Sequence, residues 1–267
     1  MEGAPALADN TLPAQLAEIA KQRNLGPFRS GVRSNPMPVI TIFVVSLAGV
    51  AICFFGGSFQ MQAPGEPWYN LIGLWAVALL AAATAIWLWR KAKARRAEYF
   101  GLFQHGVAHI NNAGEPSAYR WEEIRSTTQM GVMAYVDSKA HQYDLVIDPA
   151  EGPGFTVDST FAGIAHLQSD TVAAYTRARL PAMEALLMAG EELPPWTFGP
   201  LVMTSQGLTY EERSLPWPQV GPMRVDKGKV HLRPTGVDGD WAVLNAPTFP
   251  NLALFRELFS IMRRANS

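Results

Sequence analysis

Two uncharged apolar runs near the N-terminus constrain this chain more than any other feature of its sequence. Val39 to Phe59 carries no charge for about 21 residues, and Trp68 to Trp89 carries none for about 22. At a helical rise of about 1.5 Å per residue, either run would make a helix about 30 Å long, enough to cross the hydrocarbon core of a bilayer. Buried helices of soluble cores usually hold shorter apolar stretches, and a cleaved signal peptide would start earlier and end sooner. The expectation is therefore two transmembrane helices. Pro36 and Pro38 mark the entry to the first, and Met61 to Pro67 supplies the Pro and Gly of a tight turn, which makes the pair an antiparallel hairpin.

Basic residues set the expected orientation. Lys21, Arg23, Arg29 and Arg33 precede the first run, Arg90, Lys91, Lys93, Arg95 and Arg96 follow the second, and the connecting loop has Glu66 and no basic residue. Cationic flanks stay on the cytoplasmic side, so both termini are expected in the cytoplasm, with the bilayer of a bacterial inner membrane as an integral partner. Arg90, Lys91, Lys93, Arg95 and Arg96 are the candidate membrane-interface residues, read as determinants of topology before lipid-specific contacts. No ionisable residue lies inside either run, which predicts an anchor rather than a transporter. The single cysteine, Cys53, falls within the first run, so neither an intramolecular disulfide nor a cysteine zinc site can form.

The expected organisation is a cytoplasmic N-terminal segment over residues 1–36, the hairpin with its basic flank over 37–96, and two folded units over 97–195 and 196–267. Leu12, Leu16 and Ile19 would line one side of a short helix in the N-terminal segment, able to dock on the folded region or lie at the bilayer surface. After Ala97 the pattern changes. Tyr143, Leu145 and Ile147 alternate with opposite-face residues, as do Val230 and Leu232, the period of half-buried strands. Turn residues separate such segments at Asn111 to Gly114, Asp137 to Lys139, Asp148 to Gly154, Asp226 to Lys229 and Gly236 to Asp240.

Helical spacing interrupts the strands twice. Ile164, Leu167, Tyr175, Met183, Leu186 and Leu187 recur within Phe161 to Gly190, where Pro181 is expected to kink or split the run. Leu252, Phe255, Phe259 and Met262 form a stripe within Asn251 to Arg264, with Asn251 as N-cap. The order, strands and then a helix, occurs twice. Gln104 to Val107 followed by Tyr119 to Ile124 parallels Ser205 to Leu208 followed by Leu215 to Val220, each with a Gly-apolar step and then a Trp before an apolar residue.

A small antiparallel sheet closed by a C-terminal amphipathic helix resembles the pleckstrin-homology-like (PH-like) fold. The sequence of features from Leu25-Gly26-Pro27 through LFQHGV (Leu102 to Val107), YRWEEI (Tyr119 to Ile124), FGPL (Phe198 to Leu201), LPW (Leu215 to Trp217) and PNLALF (Pro250 to Phe255) is similar to that of uncharacterised bacterial membrane proteins pairing a transmembrane hairpin with PH-like domains. The resemblance implies an α+β membrane protein with tandem PH-like units, the second shorter, and it implies no active site.

The residues themselves offer no catalytic constellation. His105 and His109 could share a strand face, but no HExxH motif accompanies them, and His141, His166 and His231 are scattered. Glu122 and Glu123 are adjacent and would diverge on a strand; neither a nucleophile elbow nor a phosphate-binding loop is present. No cofactor or metal is expected. Nucleic acid is disfavoured because Ala97 to Ser267 holds about 13 basic and about 19 acidic residues. Arg224, Lys227, Lys229 and Arg233 cluster on one expected hairpin as the candidate anion or lipid contact, with a solvated hairpin face as the plainer reading.

The function expected is a membrane-anchored cytoplasmic module that binds a protein or peptide partner without catalysis, with Trp121, Trp217 and Trp241 as first positions to test. The alternatives are a lipid sensor at the inner face of the membrane and a membrane-bound enzyme with an unrecognised site. Partner identity and oligomeric state are not readable.

Overall fold

The computed structural model describes residues 12–35, 98–131, 143–161, 163–193 and 197–266, together with residues 76, 80, 83, 84, 86, 87 and 90. Two compact units are drawn from it. One takes Met1–Val32, Phe100–His109 and Pro116–Ser267; the other takes Arg33–Tyr99 and Ile110–Glu115.

Among the described residues the elements run α1 (Ala14–Gln22), β1 (Phe28–Arg33), β2 (Tyr99–Phe103), β3 (Gly106–Ile110), β4 (Pro116–Arg120), β5 (Ile124–Gly131), β6 (Tyr143–Pro149), β7 (Phe155–Val157) and α2 (Ile164–Met188). Then come β8 (Leu201–Met203), β9 (Gly207–Tyr210), β10 (Arg213–Pro216), β11 (Val220–Asp226), β12 (Lys229–Pro234), β13 (Ala242–Asn245) and α3 (Leu252–Ala265). The strands form four small sheets, ordered β1-β2-β3-β4, β5-β6-β7, β10-β9-β8 and β11-β12-β13.

The sequence parallel has a detailed geometric counterpart. Each half passes from one sheet to the next through a one-turn 3₁₀ helix that starts on a tryptophan, Trp121–Glu123 in the first and Trp217–Gln219 in the second. The Trp121 N–H donates to the His105 carbonyl and the Trp217 N–H to the Gln206 carbonyl, both at 3.1 Å. The indole N–H of Trp121 donates to Gln104 O at 3.1 Å, and that of Trp217 to Thr204 O at 3.0 Å. A register shift follows each corner, between Ile124 and Ser126 and between Val220 and Met223. Each ring then meets the following helix edge-on, Trp121 against Tyr175 at 6.2 Å and Trp217 against Phe259 at 5.9 Å. A buried amphipathic ring with its single donor satisfied is a rigid corner post.

The halves differ in how the turn before the Gly is capped. In the first, Leu25 O and Pro27 O accept from the N–H groups of His105 (2.8 Å) and Gln104 (3.1 Å), so the N-terminal segment does the capping. In the second, the Thr204 hydroxyl accepts from Gln206 N (3.1 Å) and Gly207 N (3.3 Å). The N-terminal segment is accordingly docked, with Leu16, Ala20 and Leu25 buried. One hydrophobic core runs through both halves, from Phe100, Trp121, Leu145 and Tyr175 to Leu208, Trp217, Leu232 and Phe255.

Several expectations need correction. Among the described residues no helix is long and apolar enough to cross a membrane. The first apolar run and most of the second lie outside the described residues, and nothing described supports the two-helix hairpin. The integral bilayer partner, the inner-membrane localisation and the membrane fold class therefore stand unsupported with it. The physical reason is that hydropathy measures the preference of side chains for an apolar medium and does not establish one unbroken helix. What the chain shows is an α+β fold of small antiparallel sheets with the helices α1, α2 and α3.

Pro181 does not split its helix in two, because α2 continues through it to Met188. Proline removes only its own N–H bond, and Met183 and Leu187 beyond it are buried in the core. Asn251 sits at the N-cap position of α3, but its side chain caps nothing there. Its backbone is left-handed (φ 54°), its side chain is buried, and it reaches into the first half. Oδ1 accepts from Thr127 N at 2.7 Å, Nδ2 donates to Arg125 O at 3.2 Å and to Thr197 O at 2.9 Å, and Asn251 N donates to Thr127 O at 2.8 Å. Asn251 thus pairs with the outer edge of β5 as a strand residue would.

His109 does not share a strand face with His105, which lies in the β2–β3 turn. Its ring is buried and stacks on Phe155 at 4.5 Å with the planes 2° apart. Burial pushes its pKa down to about 4 from the ordinary 6.5. The unfolded chain therefore binds the extra proton first, so stability is complete above about pH 6.5 and is lost as pH falls toward 4. We expect that loss to approach about 3 kcal/mol, by the relation of about 1.4 kcal/mol per pKa unit. Denaturant midpoints across pH 4–7 should show this slope in the natural chain and lose most of it in His109→Phe; an unchanged slope would place the acid-sensitive group elsewhere.

Candidate interaction surface

Strands β12 and β13 of the β11–β13 sheet alternate in burial. Val230, Leu232, Ala242 and Leu244 point into the core and are buried. Residues one step out of phase face outward, because successive side chains of a strand alternate. The register places Arg224, His231 and Val243 in one cross-strand row and Asp226, Lys229 and Asn245 in the next. Beyond the Leu232 to Ala242 pair the register breaks, since Trp241 N also donates to Leu232 O at 2.8 Å.

The four cations expected to form an anion pocket share this hairpin but are not equally available. Arg224 pairs with Asp226 at 3.0 Å, and Arg233 Nε donates to Asp240 Oδ1 at 2.6 Å. Lys227, at the positive-φ tip with Gly228, and Lys229 are exposed and have no ion pair among the described residues. Asp240 also lies 2.7 Å from His231 Nδ1. That bond first, and then the one from Arg233, holds the Asp240 carboxyl below the usual carboxylate range. An imidazole on a carboxylate is half of a general-base arrangement, but the third member here is a guanidinium, which supplies no nucleophile.

Beside this face, Tyr210 and Trp241 meet edge-on at 6.2 Å, and the Arg213 guanidinium lies 5.8 Å from the Tyr210 ring and 6.0 Å from the Trp241 ring. Both rings are partly buried and Arg213 is exposed. Trp, Tyr and Arg are the residues that most often anchor protein contacts. Of the three tryptophans singled out in the sequence, Trp121 and Trp217 are core and Trp241 belongs to this surface. Tyr210, Arg213 and Asp240 were not legible as a group, since they come from the ends of different strands and a loop.

Other placements offer less. Arg90 is helical and exposed, while Lys91, Lys93, Arg95 and Arg96 lie outside the described residues. Arg120 pairs with Glu122 and Arg23 with Glu123, so neither carboxylate faces the other as an acid-base pair. A cavity of about 350 Å³ beside α1 is lined by Leu12, Ala17, Ala20, Phe28 and Phe103, with Lys21 and Asn24 as its polar side chains. Among the described residues no three His, Cys, Asp or Glu side chains gather as metal ligands would.

A family profile matches residues 11–267, nearly the whole chain. The chain belongs to the family of unknown function DUF6585. This membership stands in place of the resemblance to hairpin-anchored PH-like membrane proteins, since among the described residues no helix is long and apolar enough to cross a membrane. No curated protein matches the chain.

Proposed function

We propose that this DUF6585 member is a non-catalytic binding module whose second half takes a protein or peptide partner. The observation that carries the reading is the surface beside β13, where a strand with one edge unpaired among the described residues adjoins a Tyr-Trp pair and an exposed guanidinium. Main-chain pairing along such an edge supplies affinity, and adjacent side-chain anchors supply choice of partner. The alternative of an anionic-lipid sensor draws on Lys227 and Lys229, because carboxylates already engage Arg224 and Arg233.

The test is crosslinking and affinity capture with the full chain, natural and Trp241→Ala, with partners identified by mass spectrometry. A partner anchored here should be recovered about tenfold less by the variant, the effect of losing an anchor worth about 1.4 kcal/mol or more. Equal recovery by the two chains, with both folded by thermal melt, would refute this surface as the contact.

A further inference from the structure

We propose that the outer edge of β13 receives an extended acidic segment of a partner protein, which adds as a fourth strand beside Val243 with its carboxylates toward Lys229 of β12 and Lys227 at the hairpin tip. This rests on the binding-module reading and specifies the surface and the chemistry of the partner.

The hydrogen-bond phase of the sheet shows which groups are free. Asp226 and Lys229 flank a two-residue hairpin turn whose central residues, Lys227 and Gly228, have φ of 49° and 73°, the type I′ geometry that closes on a bonded pair. Ala246 N donates to Gly228 O at 2.9 Å on the other side of β12. Bonded and non-bonded pairs alternate in an antiparallel ladder. Lys229 and His231 therefore bond toward β11, and Val230 and Leu232 bond toward β13. By the same alternation Val243 turns its own N–H and C=O away from β12, to the open edge. Its side chain is 41% exposed on the outer face. An edge with free main-chain groups and an exposed β-branched residue is suited to strand addition.

Charge names the partner. The region from Ala97 to the C-terminus is acidic, with 13 basic and 19 acidic residues. The outer face of this sheet reverses the sign, because beside the pairs Arg224–Asp226 and Arg233–Asp240 it carries Lys229 in its rows and Lys227 at its tip, neither ion-paired among the described residues. A strand added beside β13 would lie two strand spacings, about 10 Å, from β12. A Lys or Arg and a Glu span that distance between them. A cationic island on an acidic surface steers acidic partners to itself and repels the rest from the surround. A lipid headgroup would also use Lys227 and Lys229 but would leave the open main-chain edge unused, which is why the peptide is favoured.

The experiment is selection of a random peptide library on the immobilised full chain, followed by binding of the selected peptides to the natural chain, Val243→Pro and Lys229→Glu. Proline removes the outward N–H without touching a ladder bond, and proline is tolerated on edge strands. We expect enrichment of Asp- and Glu-rich sequences, about tenfold weaker binding to either variant, and weakening by added salt. Should Val243→Pro fail to fold, the exposed charge reversal at Lys229 decides alone. Selected peptides that are not acidic, or that bind both variants as they bind the natural chain, overturn the proposal while leaving a binding module in place. No selected peptide, together with salt-sensitive cosedimentation on phosphatidylserine vesicles, overturns both in favour of lipid.

Discussion

Gly106→Ala should cost the chain about 4 kcal/mol, at the diagnostic end of single substitutions, and Gly207→Ala should cost nearly as much. A methyl group on Gly106 would sit 2.1 Å from the Tyr119 carbonyl oxygen and 2.9 Å from Arg120 Cα. On Gly207 it would sit 2.3 Å from Leu215 O and 2.8 Å from Pro216 Cα. The obstacles are backbone atoms of the neighbouring strand, so no rotamer change relieves them, and the strand pair must part beside the tryptophan corner. Neither glycine is at positive φ, so space and not conformational freedom is what each supplies. Gly114, with φ of 85° and nothing within 4 Å of an added methyl, is the control. Alanine there meets only backbone strain, about 1 kcal/mol. Urea denaturation of the three variants should rank them with Gly114→Ala mildest; comparable midpoints would mean that the strands do not approach as closely as described.

Asn251→Ala should also lose about 4 kcal/mol, through a different mechanism. The substitution leaves the Thr127 N–H and the Arg125 and Thr197 carbonyls without the side chain that satisfies them. Each buried unpaired group costs about 1–3 kcal/mol, reduced where water enters. Alanine also tolerates the left-handed backbone of Asn251 poorly, at about 1 kcal/mol. Asn251→Gly keeps that backbone and loses the same bonds, so it should be milder by about that amount. Asn251→Asp keeps an acceptor for Thr127 but turns a carboxylate oxygen toward two carbonyls, and should be no better than alanine. Thermal unfolding that leaves Asn251→Ala within about 1 kcal/mol of the natural chain, the range of a solvent-exposed hydrogen bond, would reject the clip.

How much of this was legible follows from what each signal depends on. Strand alternation at Tyr143 to Ile147 and at Val230 to Leu232 reports burial of one face, a local property, and those strands are present. The twice-repeated Gly and Trp were visible as spacing, and the structure gives their reason in the close strand approach and the indole bond to the turn. Asn251 was misread because an Asn before a helix is ordinarily a cap, whereas its partners here are 124 residues and more than 50 residues distant. The surface around Trp241 was seen only in part, since the cations were counted without Asp226 and Asp240 that engage two of them. The hairpin expectation failed for want of any local test, because apolarity alone carried it.

The clip on β5 also has a consequence in time. Thr127 is made 124 residues before Asn251, which closes its edge. A nascent chain can fold its first half well before that edge is covered, and an uncovered edge pairs readily with other strands. The chain is thus most open to mispairing while still incomplete, and a version cut short before residue 251 would carry that vulnerability permanently.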